Sequence, residues 1–420
     1  MACAQPPRQR GYFVTFLSRV PDTLRPAPPA GAGRADRHTF PMPSILFSSP
    51  YPSLRGETLL VSPRRRQLMM ALGGLAATPL ALGQSPARRT VVVGHLLDRS
   101  GAQADLARDY LAGAKVMFDA TNAGGGPVRI QHVVRDADAD PRAALAQALS
   151  LVDGEHAELL FGPGDQLLPA LAASPELHRR GVQIVAPLSG LALNAENVWF
   201  TRADYQAELD AAVRQLRDYG LTRVALAVSK EFASIAASSG ASWLTRQESA
   251  MGTRAVPLDG NAEAAARSIA AQRPGAVIVV GDTLAYASLG RALAAQGWYG
   301  FLVGLSAVSP TVAREVLGAG YAGGIVLTQV APGPQAATLR VVKEHVARMK
   351  QYLDEPPSPS TIAGYIGAAW LVRALGTWRG GTAELRRALQ SRVDVGDFTL
   401  DFTQGQRGSR YVQLVASGAR

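Results

Sequence analysis

The chain has 420 residues, 47% hydrophobic, 18% charged and 6% aromatic, long and apolar enough to bury the cores of two globular domains and too apolar for a disordered chain. Its single cysteine is Cys3, which excludes a disulfide framework and any cysteine-based zinc site. The formal charge is +10, but residues 1–83 hold ten arginines and no lysine against Asp22, Asp36 and Glu57, so +7 of it sits there and +3 on the remainder; the body of the chain is near balance and calls for no nucleic-acid partner.

Residues 1–63 carry 11 of the 27 prolines and no sustained periodicity. They read as a disordered extension or as sequence upstream of the true start, with Met42 preferred over Met69, which would discard the next segment. Residues 64–83 have the three parts of an export signal: Arg64-Arg65-Arg66, an apolar stretch from Leu68 to Leu82, and the small-x-small site Ala81-Leu82-Gly83, so that the mature chain begins near Gln84. The apolar stretch is shorter than the ~20 residues of a membrane-spanning helix. Arg65-Arg66-Gln67-Leu68-Met69 fits the twin-arginine route and a general secretory signal equally. No cysteine follows to take a lipid anchor, and the expected location is the periplasm.

From Thr90 onward short β-branched runs alternate with Ala-rich amphipathic stretches. Strands are expected at Thr90–Gly94, Val128–Val134, Glu158–Phe161, Val182–Ala186, Arg223–Val228, Ala276–Val280, Phe301–Val303 and Ile325–Leu327. Helices are expected at Ala104–Ala123, Pro141–Asp153, Leu167–Arg180, Ala207–Tyr219, Ile235–Ala250, Asn261–Ala271, Ala285–Gln296 and Pro310–Leu317. The alternation predicts an α/β fold with parallel sheets covered on both faces. Longer helices follow at Thr338–Tyr352 and Ser360–Trp378, then a helix at Thr382–Gln390 and a hairpin-like pair, Phe398–Phe402 with Tyr411–Ala416. This is too much α/β for one sheet of ordinary size, so two doubly wound lobes are expected.

No catalytic pattern emerges. The loop after the first strand, Gly94 to Gly101, lacks G-x-G-x-x-G, and there is no P-loop. Gly304-Leu305-Ser306-Ala307-Val308 lacks the closing glycine of a nucleophile elbow, and the downstream His345 reads as a solvated helix residue. Asp136, Asp138 and Asp140 alternate like a calcium loop, but Pro141 stands where its glycine belongs, and Asp140 reads instead as a helix cap. The histidines show no metal-ligand spacing. No cofactor or metal is expected.

Several ordered blocks nevertheless resemble a known family. Gly94 to Gly101, Gly113-Ala114, Asp119 to Gly126, Arg135 to Pro141, Phe161-Gly162-Pro163, Ile184 to Pro187 and Ala322 to Val326 are together similar to the type I periplasmic solute-binding proteins of ABC transporters, the class that includes the leucine/isoleucine/valine-binding proteins. The resemblance implies two Rossmann-like lobes joined by a three-segment hinge, residues 90–204 plus 331–396 and residues 205–330 plus 397–420, with a small-molecule ligand enclosed between them. Carried onto this chain, it implies ligand-binding positions at Ser100, Gln103 and Leu106, at Gly164, Asp165 and Gln166, at Leu188, Ser189 and Gly190, and in the second lobe at Phe232, Asp282, Thr283, Leu305, Ser306 and Val330.

The departures narrow the ligand. No acidic residue stands near Leu305 to hold an ammonium group, and Asp165 sits where a ligand carboxylate would arrive, which is unfavourable unless Asp165 turns away or pairs with Arg202. A small amide or an organic acid then fits better than a zwitterionic amino acid; otherwise the pocket has degenerated. The expected function is a monomeric, non-enzymatic binding protein delivering a small polar or amphipathic metabolite to an ABC permease. The alternatives are a sensor or scaffold of the same fold and, less favoured, an exported hydrolase.

Overall fold

The computed structural model describes residues 88–98, 103–138, 140–238, 243–318, 321–336, 338–353 and 355–417. Residues 1–83, where the extension and export signal are expected, and Ser100 lie outside the described residues, which all belong to one compact unit of the chain.

The first sheet is built from β1 (Arg89–Leu97), β2 (Val128–Asp136), β3 (Leu159–Phe161), β4 (Gln183–Val185) and β5 (Val198–Trp199), all parallel and ordered β2-β1-β3-β4-β5. Its connections are α1 (Ala104–Ala123), α2 (Pro141–Asp153), α3 (Leu168–Ala173) and α4 (Pro175–Arg179). Asp140 caps α2 as the sequence suggests, its carboxylate accepting from Arg142 N, with Pro141 in the first turn. The single helix expected over 167–180 is two: Ser174 leaves the helical region, Pro175 cannot donate into the preceding turn, and the Ser174 hydroxyl caps α4 instead.

The second sheet is ordered β13-β10-β9-β8-β6-β7: β6 (Val224–Ser229), β7 (Val256–Leu258), β8 (Ala276–Val280), β9 (Phe301–Gly304) and β10 (Gly324–Gln329) run parallel, while β13 (Gln413–Ser417) is antiparallel to β10. α5 (Tyr205–Asp218) leads into it, and α6 (Lys230–Ser238), α7 (Trp243–Met251), α8 (Ala262–Ala271), α9 (Thr283–Ala295) and α10 (Pro310–Leu317) connect its strands. Where one helix was expected over 235–250, the described residues form α6, which begins at Lys230, and α7; residues 239–242 lie outside the described residues.

The chain then returns to the first lobe with α11 (Arg340–Tyr352), α12 (Pro359–Thr377) and α13 (Thr382–Leu389). The expected hairpin between 398–402 and 411–416 does not form. β12 (Phe398–Asp401) pairs with β11 (Arg392–Val395), a strand the sequence did not suggest. Phe398, Leu400 and Phe402 pack in the first lobe's core, where Trp370 stacks on Phe402 at 4.5 Å. The chain therefore passes between the lobes three times, after β5, after β10 and after β12. The first and third passages are bonded together: Phe200 N donates to Gln406 O (2.7 Å), Gly408 N to Phe200 O (2.9 Å), and the Arg407 guanidinium lies 4.1 Å over the Phe200 ring.

α1 and α12 cross at near backbone contact. A Cβ on Gly113 would lie 1.8 Å from Thr361 O, and one on Gly364 would lie 2.0 Å from Tyr110 O. His345 corrects the sequence reading: it is 0% exposed, on the stripe with Val341, Val342 and Met349. Its ring lies 5.4 Å from Tyr365, and neither nitrogen has a partner. Burial lowers its pKa to about 4.

Two outcomes follow for stability. Gly113→Ala forces α1 and α12 apart and is expected to cost roughly 3 kcal/mol, whereas Gly376→Ala, with open space around it, is expected to be near neutral; urea midpoints check both. His345 titrates near 6.5 in the unfolded chain and near 4 in the fold, so its contribution is intact above pH 6.5 and lost as pH falls toward 4. His345→Leu is expected to flatten the acid limb of a stability–pH curve between those values.

Candidate functional site

In each sheet the chain winds outward in both directions from one strand. The first sheet turns between β1 and β3, the second between β6 and β8. Side chains leaving the carboxyl ends of those strands gather in the crevice where the order reverses, the place an open α/β sheet offers to a ligand. On the first sheet Gln103 follows β1 and Asp165 follows β3.

These two residues meet. Gln103 Nε2 donates to Asp165 Oδ2 (2.8 Å), and Asp165 N donates to Gln103 Oε1 (3.2 Å). Gly164 lets the loop approach: a Cβ there would stand 3.3 Å from Gln103 Oε1. The third partner comes from the second lobe's leading helix, where the Tyr205 hydroxyl donates to Asp165 Oδ2 at 2.7 Å and accepts from Gln103 Nε2 at 3.1 Å. Asp165 is 3% exposed. Burial pushes its carboxyl up from the usual range, against the pull of the Ser189 and Tyr205 hydroxyls, Arg202 and Gln103. Oδ1 has no hydrogen bond of good geometry.

Beside this cluster lies a buried ion pair. Arg202, 5% exposed, sits in the first passage between the lobes and donates to Glu208 Oε1 (2.6 Å), to Leu188 O (2.6 Å) and to Ser306 Oγ (2.5 Å). Glu208 is 0% exposed and fully engaged: the Ser306 hydroxyl donates to Oε1 (2.7 Å), Ser306 N to Oε2 (2.8 Å), and the Thr328 hydroxyl to Oε2. Burial pulls the pKa of Arg202 down, but Glu208, Tyr205 and Asp165 outweigh it and hold the value above the ordinary one. Gly190 makes room for both hinge side chains, since a Cβ there would stand 2.6 Å from the Tyr205 ring and 2.8 Å from Arg202 Nη2.

Of the positions suggested by the sequence, Gln103, Gly164, Asp165, Gly190 and Ser306 are thus brought together at the lobe interface. Ser189 is 0% exposed beside Asp165, its hydroxyl accepting from Leu191 N. Phe232 packs edge-on to Tyr205 at 5.2 Å. Leu106 and Leu188 are buried in the first core and Leu305 in the second. Val330 lines a small cavity with Tyr110, Thr201 and Arg202. Asp282 and Thr283 are occupied structurally: Asp282 caps α9, and Thr283 Oγ1 accepts from Ser309 N (2.9 Å). Gln166 is exposed. Asp165 bonds to Gln103 and Tyr205, while Arg202 pairs with Glu208 rather than with it. Tyr205, Glu208 and Thr328 were missed. A signal existed, because Glu208 falls on the buried stripe of α5 with Tyr205, Leu209 and Ala212.

Among the described residues no group of three His, Cys, Asp or Glu is placed to hold a metal ion. The arrangement is a set of donors and acceptors spanning two lobes. The chain belongs to the periplasmic binding protein family, whose model matches residues 90–409. Its fold is similar to that of an extracellular ligand-binding receptor from Verminephrobacter eiseniae (TM-score 0.70, 23% identity, 77% of this chain and 97% of that one). It is also similar to a substrate-binding periplasmic protein from Ralstonia solanacearum (TM-score 0.69, 24% identity, 79% and 98%). A third is the branched-chain amino acid transporter substrate-binding protein of Streptococcus pneumoniae in complex with isoleucine (TM-score 0.66, 15% identity, 79% and 97%). Comparison with curated proteins gives no match.

Arg202→Met leaves the Glu208 carboxylate buried without its counter-charge and is expected to cost about 3–5 kcal/mol. Arg202→Met combined with Glu208→Leu is expected to recover most of that loss. Chemical denaturation of the single and double variants measures both.

Proposed function

We propose that the chain is exported and, from about Gln84, acts as a substrate-binding protein that encloses a small polar or amphipathic metabolite between its lobes and delivers it to an ABC transporter permease. The observation that carries this reading is the convergence of Gln103 and Asp165 from one lobe with Tyr205 and Ser306 from the other, in a chain of the periplasmic binding protein family. Residues 90–204 and 331–402 form the first lobe in this reading, and 205–330 with the terminal strand form the second. Ser189, Gly190 and Phe232 border the same interface and complete the proposed site.

Binding suits this site better than turnover. The Ser306 hydroxyl does contact a carboxylate, but Glu208 already accepts from Arg202, Ser306 N and Thr328. A carboxylate so neutralised is a poor general base. The buried Asp165 carboxylate disfavours a ligand acid group at that point and favours a donor such as an amide or hydroxyl.

A thermal-shift screen of residues 84–420 against amino acids, amides, aromatic acids and short dicarboxylates tests the proposal. A ligand at 100 times its Kd is expected to add about 2.7 kcal/mol of stability. Hits among the amides, with branched-chain amino acids silent, are the expected result. A branched-chain hit would place the second-lobe loops elsewhere, and silence across the panel would contradict the binding reading.

A further inference from the structure

Away from the lobe interface, a groove of about 440 Å3 opens between the C-terminal half of α12, α13 and β11. Ala374, Ala388 and Val393 line it together with the exposed residues Arg373, Arg387 and Arg392. Arg373 and Arg387 make no hydrogen bond or ion pair with any described residue, and Arg392 approaches Asp401 only to 3.9 Å. The one carboxylate of the lining, Asp394, is already shared with Arg340 at 3.5 Å. The groove is therefore cationic.

The strand that walls it has a second property. Phe402 N donates to Ser391 O (3.2 Å), and the register sets Val393 opposite Leu400 and Val395 opposite Phe398. Antiparallel alternation then turns the main-chain groups of Val393 and Val395 toward β12 and those of Arg392 and Asp394 outward. On β12 the outward Asp401 N is taken up by Gly408 O at 2.8 Å. The outward groups of Arg392 and Asp394 have no main-chain partner among the described residues. An open strand edge offers main-chain pairing to an extended peptide, and the arginines offer charge-assisted bonds to carboxylates. A lone phosphate would engage the arginines and leave the edge unmet.

We propose that this groove binds an extended acidic peptide segment of a partner protein, added as a strand along the outer edge of β11. Acidic side chains meet Arg373, Arg387 and Arg392, and alternate small apolar side chains lie over Ala374, Ala388 and Val393.

The test is fluorescence anisotropy of residues 84–420 with a labelled octapeptide alternating Glu and Val, against the same peptide with Lys in place of Glu. Only the Glu peptide is expected to bind, and Arg373→Gln with Arg387→Gln is expected to weaken it at least tenfold. Asp394→Pro removes an outward N–H together with a negative charge, whereas Asp394→Asn removes the charge alone. Strand addition predicts at least tenfold weaker binding for the first and equal or tighter binding for the second. Circular dichroism checks that each variant folds; should Asp394→Pro fail to, slowed amide exchange at Arg392 and Asp394 in the wild-type complex is the equivalent readout. Failure of the Glu peptide to bind would overturn the proposal. So would equal binding by the two Asp394 variants, absent exchange protection, or displacement of the peptide by inorganic phosphate or anionic vesicles at lower concentration than by unlabelled peptide.

Discussion

A guanidinium and a carboxylate removed from water each carry a desolvation cost of several kcal/mol, and the pair is tolerated only when nearly every polar atom finds a partner. Arg202 and Glu208 meet that demand at the first passage between the lobes, and their neighbourhood follows from it. Leu188 turns a carbonyl inward, Ser306 contributes both its amide and its hydroxyl, and Thr328 closes the last position on Glu208. Position 190 has to be glycine because the Arg202 and Tyr205 side chains occupy the space a Cβ would fill. The network ties the exit of β4 to the exits of β9 and β10, so residues of both lobes share one set of hydrogen bonds at the hinge.

The parallel sheets make this convergence possible. With connections running over both faces, the carboxyl ends of the strands are left for loops, and the reversal of strand order opens a crevice in each sheet. Gln103 and Asp165 occupy that position in the first lobe, and α5 brings Tyr205 to them from the second. The third passage braces the arrangement, since Arg407 donates to Arg202 O (2.7 Å) and Leu191 O (3.0 Å) while packing over Phe200.

Much of the fold was legible from periodicity. α1, α2 and α10 fall where the apolar stripes and caps place them, because in those helices the buried face, the first-turn proline or the cap all agree. The C-terminal region misled because Phe398–Asp401 is apolar in alternation and turn residues follow it, which suits a hairpin; its partner is β11, whose sequence Arg-Val-Asp-Val is charged on alternate positions and short. β5 and β7 are two and three residues long, below the length at which alternation is visible. His345 was misread because lysines and arginines flank it, while the helical period puts it on the inward stripe. Of the loop positions the resemblance implies, Gln103, Gly164, Asp165, Gly190 and Ser306 lie together at the lobe interface, whereas Gln166 is exposed and Asp282 caps α9. Glu208 was open to the helical period of α5, but its partners Ser306 and Thr328 lie 98 and 120 residues away, a pairing that no local pattern records.

In the proposed function the ligand and the hinge network act together, the ligand holding the lobes in one relative position. Pulsed electron paramagnetic resonance between spin labels at Arg142→Cys on α2 and Arg267→Cys on α8, with Cys3→Ser, measures that position directly, without ligand and with a saturating ligand found by thermal shift. The predicted result is a broad distance distribution that narrows to a single shorter one on saturation. An unchanged distribution at full occupancy would contradict it, and would place the ligand elsewhere than between the lobes.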